Sequence, residues 1–363
     1  MLDRDYPLPS TMSTGATVPK YSFMDDYSEG AHPRILQALS ETNGVQQVSY
    51  GDDEYCATAK QYLRRHMGNR ETAIFFVPSG TSANLICIAS CLRPFEAVIA
   101  TSSAHIVTQE AGAIAALGHH IITVEPVNGK MTAASVAQAV KQNSHPPHTV
   151  LPRLVYVSNA SETGTAYSKE ELAALADTCK TLGLLLFMDG ARLGTALCSP
   201  KSHMTLADIF DLTDIFWLGG TKNGALFGEA IVVKDEAQAS TFAYHIKQRG
   251  ALLAKSRTLG IQFSELFRDG LFWDLATNAN RMAQRLAGIL AKLEYHVNAD
   301  VETNQMFVVV PSAIMQRWQE RFLFHVWEEL DDDRVVVRLV TSWATNAAQV
   351  DAFGEFAEGL ARL

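Results

Sequence analysis

LLLFMDGARLG (residues 184–194) and IFWLGGTKNGALFGEA (residues 215–230) decide how this chain is read. Each opens with a continuously apolar run and passes into a glycine-containing turn, the form of a strand buried on both faces. Asp189 closes the first run, and Lys222 stands in the turn after the second. In open α/β sheets, ligands bind outside the carboxyl ends of the strands. The 33 residues from Asp189 to Lys222 leave room for one helix and one strand, so the two groups can meet at neighbouring strand ends.

The same pattern extends outward. AIFFVP (73–78), AVIAT (97–101), HIITVE (120–125), RLVYVSN (153–159) and EAIVV (229–233) are further strand-like runs. Between them lie helical patterns: SANLICIASCL (82–92), VTQEAGAIAAL (107–117), TAASVAQAVKQ (132–142), KEELAALADTCKTLG (169–183) and MTLADIFDL (204–212). Seven short runs alternating with amphipathic helices predict an α/β fold, a mostly parallel seven-stranded sheet covered on both faces. We assign this large domain, with its N-terminal arm, to residues 21–250. From residue 251 to 363 a long amphipathic helix (272–293), the strands MFVVVP (306–311) and RVVVRLVTSW (334–343) and a terminal helix predict a smaller α+β domain. Residues 1–20 carry acids and prolines without a continuous apolar segment, and are read as a flexible leader, not a signal peptide.

Of the 363 residues 47% are hydrophobic and 19% charged, an ordinary balance for an enzyme with a substantial core. A formal net charge of −9 argues against nucleic acid or an anionic membrane as a bulk partner. The five cysteines include no C-x-x-C pair and several fall in apolar helical stretches, which suits reduced thiols and a cytoplasmic setting. No spacing points to a metal site.

Four local signals carry chemistry. In FFVPSGTSANL (75–85), Ser79, Gly80 and Thr81 follow a strand and open a helix, so their backbone N–H groups and the helix dipole can hold a phosphate. Asp189 can act as a helix cap, a metal ligand, or the partner that keeps a pyridine nitrogen protonated. Lys222, among Gly, Thr and Asn, is placed to lose charge by burial and so become a nucleophile. In TSSAHIVTQEAG (101–112), His105 offers a ring to stack on a cofactor or a group to move protons.

Taken in order, YGDD (50–53), SGTSAN (79–84), His105 with Glu110, DGAR (189–192) and GGTKNG (219–224) resemble the pyridoxal-phosphate (PLP) dependent threonine aldolases. These belong to the β-eliminating lyase group of fold type I, the aspartate aminotransferase fold, and the resemblance spans residues 23–343. It implies that Lys222 forms the Schiff base with PLP, that Asp189 pairs with the pyridine nitrogen, and that His105 stacks on the ring. Ser79, Gly80 and Thr81 would hold the phosphate, joined by Lys255 from a neighbouring subunit, and Arg192 would lie near the cofactor. Arg338 would grip the substrate carboxylate, with Arg192, Asp25, Tyr50 and Ser161 as further substrate contacts. The period-2 strand RVVVRLV is compatible, because a buried arginine there needs a partner and a carboxylate suits it. Two positions depart from the family pattern. Asp25–Asp26 stands where many members carry Ser–Asp, and Ser161, beside Glu162, stands where many carry a histidine.

The activity so implied is retro-aldol cleavage of a β-hydroxy-α-amino acid, threonine or allo-threonine, to glycine and an aldehyde. His105, Glu110 or a water they hold would take the hydroxyl proton. Alternatives are β-elimination or transamination on the same scaffold, or a non-catalytic PLP-fold protein. A nucleotide-binding dehydrogenase would need G-x-G-x-x-G after its first strand, which PSGTSANL does not supply. Enzymes of this fold complete their sites across a dimer interface, so a homodimer or homotetramer is expected.

Overall fold

Continuous apolar runs hide a two-faced pattern. In the computed structural model, which describes residues 20–297 and 300–361, all seven runs form one sheet. Its strands are β1 (Ala73–Val77), β2 (Glu96–Thr101), β3 (His120–Val124), β4 (Leu151–Ser158), β5 (Leu185–Asp189), β6 (Ile215–Gly219) and β7 (Glu229–Val233). Their spatial order is β1-β7-β6-β5-β4-β2-β3. β7 runs antiparallel to both neighbours, and every other pair is parallel. Within a run, alternate side chains enter different cores. Val155, Val157, Phe216 and Leu218 pack in the cluster on one face, and Leu154, Tyr156, Ile215 and Trp217 in the cluster on the other. The sheet therefore has no solvent-facing side in its centre, as parallel sheets require.

Local chemistry sets the helices. Ser168 and Glu171 form a capping box at the start of helix Lys169–Leu182, and Gly183, at φ 69°, ends it in the left-handed conformation. Ser79 caps helix Gly80–Cys91 by accepting from Ser82 N. The single helix expected over 107–117 is a correction: two short helices, His105–Thr108 and Ala113–Ala116, flank a break in which Ala111 and Gly112 have φ of 50° and 73°. The cause is Glu110, whose buried carboxylate is drawn inward to Asn84 and His105, a pull that a regular helix could not satisfy.

The C-terminal part adds a four-stranded antiparallel sheet made of β8 (His296–Val297), β9 (Gln305–Pro311), β10 (His325–Glu329) and β11 (Arg334–Val340), in the order β10-β11-β9-β8. It packs on the second half of helix Leu271–Lys292 and on helix Ala347–Ala361. The helix Arg257–Arg268 packs against helix Glu54–His66 in the cluster over the large sheet, so the passage between the two cores runs along Leu271–Lys292. The N-terminal arm crosses to the smaller core. Tyr21–Ser22 pairs with Phe322–Leu323, and Phe23 is fully buried there. Apart from Lys20, the leader over 1–20 lies outside the described residues.

Candidate active site

The register of the sheet brings the carboxyl ends of its parallel strands to one edge. Ser158 lies opposite Asp189, and Gly219 opposite Glu229, with which the reversed β7 begins. Into the cavity above that edge, about 350 Å³ in volume, project residues from five turns, among them Ser79–Thr81, His105, Ser158–Glu162, Asp189–Arg192 and Thr221–Lys222.

Asp189 is buried and held from three sides. Its Oδ2 accepts from Tyr156 Oη at 2.6 Å and Asn84 Nδ2 at 2.9 Å, and its Oδ1 from Ala191 N at 2.9 Å. Asn84 is fixed in turn by Trp217 Nε1 at 3.1 Å. Two carboxylate oxygens accept about four bonds, so Asp189 keeps room for one more donor on the cavity side. Burial, and then the Asp189 charge, push the Tyr156 phenol well above its ordinary value, so it stays a donor to that carboxylate.

Lys222 has no hydrogen bond from Nζ to any described residue; the amine lies over the Tyr27 ring, 5.7 Å from its centre. Burial is the main reason its pKa is lowered, and the nearby Arg192 charge adds to it, against the opposing pull of Asp26, Asp189 and Glu229. A larger share of neutral amine makes it a better nucleophile. The turn that carries it is clamped by Glu229, which accepts from Gly220 N at 2.9 Å and Thr221 Oγ1 at 2.8 Å. Burial raises the Glu229 carboxyl to about 8.

The turn after β1 presents the N–H groups of Gly80 and Thr81 without a backbone acceptor among the described residues. Gly80 is required there, because a Cβ would stand 2.9 Å from Trp217 Cη2. His105 borders the cavity with its ring partly exposed, and its Nδ1 lies 2.8 Å from Glu110 Oε1. Glu110 itself is buried and does not reach the cavity wall.

Arg192 is locked to Asp26 by two bonds, Nε to Oδ2 at 2.7 Å and a terminal nitrogen to Oδ1 at 3.0 Å. Burial alone would raise Asp26, but Arg192, Lys222 and the bond from Asn304 outweigh it and hold the carboxyl below its ordinary value. Asp25 is turned into its own loop, accepting from Tyr27 N at 3.0 Å and Ser28 Oγ at 2.9 Å. Ser161 lines the cavity, yet its hydroxyl is tied to Thr163 and Thr165. Arg338 stands outside the lining. One of its terminal nitrogens donates to Met24 O at 3.3 Å, while its buried Nε has no partner. Tyr50 and Lys255 are also outside the lining, close together on an exposed edge where Tyr50 N donates to Ala254 O.

Asn84, Tyr156, Trp217 and Glu229 entered no sequence-based assignment. A signal existed for Glu229: the nine residues Gly220–Gly228 are too few for a parallel crossover, so EAIVV had to return antiparallel with its glutamate at the ligand edge.

The pattern of the Beta-eliminating lyase family matches residues 27–313. A low specificity L-threonine aldolase from a Pseudomonas species is 32% identical over 90% of this chain and 94% of its own length. A solved threonine aldolase from Leishmania major is 41% identical, covers 94% of this chain and 99% of its own, and superposes with a TM-score of 0.92. An aspartate aminotransferase from Thermus thermophilus, at 14% identity and a TM-score of 0.70 over 94% of this chain and 91% of its own, shares the fold alone. With the fold type I of PLP-dependent enzymes and a family pattern over most of its length, the chain belongs to the β-eliminating lyase family.

Proposed function

We propose that this protein is a PLP-dependent L-threonine aldolase, cleaving threonine or allo-threonine to glycine and acetaldehyde. One observation carries the reading: a buried lysine amine without a hydrogen-bond partner among the described residues and a carboxylate with one free acceptor site open onto the same cavity. The aldolase activity stated for the Pseudomonas and Leishmania relatives supports that choice of reaction over elimination or transamination.

The residues present fit PLP. Lys222 has the free amine an aldehyde needs, Asp189 the spare acceptor for a protonated pyridine nitrogen, and the Ser79–Thr81 turn the open N–H groups for a phosphate. Gly80 leaves that turn uncovered. Bound there, PLP would supply an electron sink for the pair released at the substrate α-carbon.

The chain's own residues do the rest. Tyr156 and Asn84 keep Asp189 oriented. Glu110 orients the His105 ring, which we assign to stacking in the cavity. Asp26 fixes Arg192, so this guanidinium contributes a directed positive charge and not a mobile side chain. The unpaired Nε of Arg338 suits a substrate carboxylate arriving from the small-domain side. Asp25, occupied within its loop, would not repel that carboxylate. We further assign Tyr50 and Lys255 to the site of a second copy of the chain. Their exposed edge also carries Val45 and Val48, apolar surface suited to a homodimer.

The test compares wild type with Lys222→Ala, reconstituted with PLP, by absorbance and by acetaldehyde release from L-threonine. A visible cofactor band that the variant lacks, with acetaldehyde from the wild type alone, is expected. A band without acetaldehyde would move the assignment to elimination or transamination. No band in the reconstituted wild type would remove the PLP reading.

A further inference from the structure

After β4, the Ser161 hydroxyl at the cavity is committed to Thr163 and Thr165, at 3.2 Å and 2.7 Å. Cleavage of a β-hydroxy amino acid needs a group to take the hydroxyl proton. We propose that Glu162 is that group, a carboxylate base on the cavity wall that accepts the substrate β-hydroxyl proton; this rests on the aldolase reading.

The cavity's other carboxylates are occupied or out of reach. Asp189 holds three donors, and its one remaining acceptor site is assigned to the pyridine nitrogen. Glu229 holds Gly220 N and Thr221 Oγ1, one on each oxygen. Asp26 is paired with Arg192 and Asn304, and Glu110 lies behind the wall. Glu162 differs. Its Oε1 accepts from Ser158 Oγ at 2.7 Å and His105 N at 3.1 Å, which fixes the side chain. Its Oε2 is held by no other described residue, and the side chain lines the cavity with Lys222 and His105.

The surroundings strengthen Glu162 as a base. Burial raises the Glu162 carboxyl, and the Asp189 charge adds to this, while the bonds from Ser158 and His105 N oppose it. Tyr156 and Tyr167 are also near, both kept protonated mainly by burial, and Arg192 supplies the nearby positive charge. Ser158 Oγ also stands 3.3 Å from Tyr156 Oη, so its hydrogen can turn there when Glu162 becomes protonated.

The step balances. The O–H bond breaks toward Glu162 and its electron pair becomes the second bond of the aldehyde carbonyl. The Cα–Cβ bond breaks, its pair remains on the glycine side, and that carbon later takes up one proton.

The experiment uses Glu162→Gln in the PLP-loaded protein, with three readouts: acetaldehyde from L-threonine, exchange of the glycine α-proton in deuterated water, and the PLP dissociation constant. Glycine has no hydroxyl, so its exchange does not need this base. Expected is a loss of cleavage of about 10²–10⁴-fold, with exchange and PLP affinity close to those of wild type. Equal losses in cleavage and exchange, or weakened PLP binding, would show that Glu162 only props His105 and would overturn the proposal. Unchanged cleavage would overturn it as well. If Glu162→Gln does not fold, Ser158→Ala removes a donor to the carboxylate, and the acid limb of kcat/KM for cleavage should move to higher pH; an unmoved limb overturns the assignment. Absence of acetaldehyde from the wild type is a separate outcome, which removes the aldolase reading itself.

Discussion

A carboxyl group that folding prevents from ionising leaves a signature in the pH dependence of stability. Glu229 is such a group, raised to about 8 by burial, with the Asp189 charge adding and Thr221, Gly220 N and Lys222 opposing. Between its ordinary value and about 8, the folded chain keeps a proton that the unfolded chain has released. Stability therefore falls as pH rises through that window. Glu229→Gln removes the slope. Measured by urea denaturation of the apo-protein, the variant should gain on wild type from about pH 5 to about pH 8 and level off above, by at most a few kcal/mol in total. A difference that does not change with pH would contradict the burial argument. The same neighbourhood shows why residue roles were only partly readable. Asp189 ends an apolar run and Lys222 stands in the turn after one, so both stand out, whereas Tyr156 lies inside RLVYVSN and looks like core until its hydroxyl is seen 2.6 Å from Asp189.

Among the elements, the helix Gly80–Cys91 shows how little tolerance the cavity floor has. Gly80→Ala would set a methyl 2.9 Å from Trp217 Cη2, and Trp217 is pinned by its bond to Asn84. The strain is expected to cost about 1–3 kcal/mol and to weaken PLP binding, read as a raised dissociation constant in a fluorescence titration of the apo-protein. An unchanged constant would mean that the turn does not carry the phosphate. The inner strands of the large sheet were legible because two buried faces leave an unbroken apolar run, whereas the edge strand β3 is only partly buried. β10 was not, because His325–Glu329 is exposed along its whole length and owes its strand form to pairing with β11. The break at Gln109–Gly112 was equally hidden: periodicity favours a helix, and the bonds of Glu110 across the fold override it.

Across the whole molecule, the N-terminal arm fastens the two cores to each other. Phe23 fills the smaller core, and three residues later Asp26 grips Arg192 beside the cavity and Asn304 immediately before β9. Removing one member of a buried ion pair leaves its partner's charge uncompensated, so Asp26→Asn should cost about 3–5 kcal/mol in chemical denaturation. Because Asp26 is held below its ordinary value, its contribution is present above that value and disappears as pH falls through the lowered one. The variant should therefore approach wild type in strong acid; a gap that stays constant would argue against the ion pair as its source.

The strand order has a consequence during synthesis. β1 is an edge strand whose sheet partner is β7, residues 229–233. As the chain leaves the ribosome, AIFFV emerges with that partner still untranslated, and it must wait while five other strands are made. An apolar, uncharged segment without its partner is the kind that self-associates. It is bounded by Arg70 and Glu71 on one side and Pro78 on the other, residues that block strand extension in both directions. Those flanks guard the nascent chain over the interval that the topology imposes.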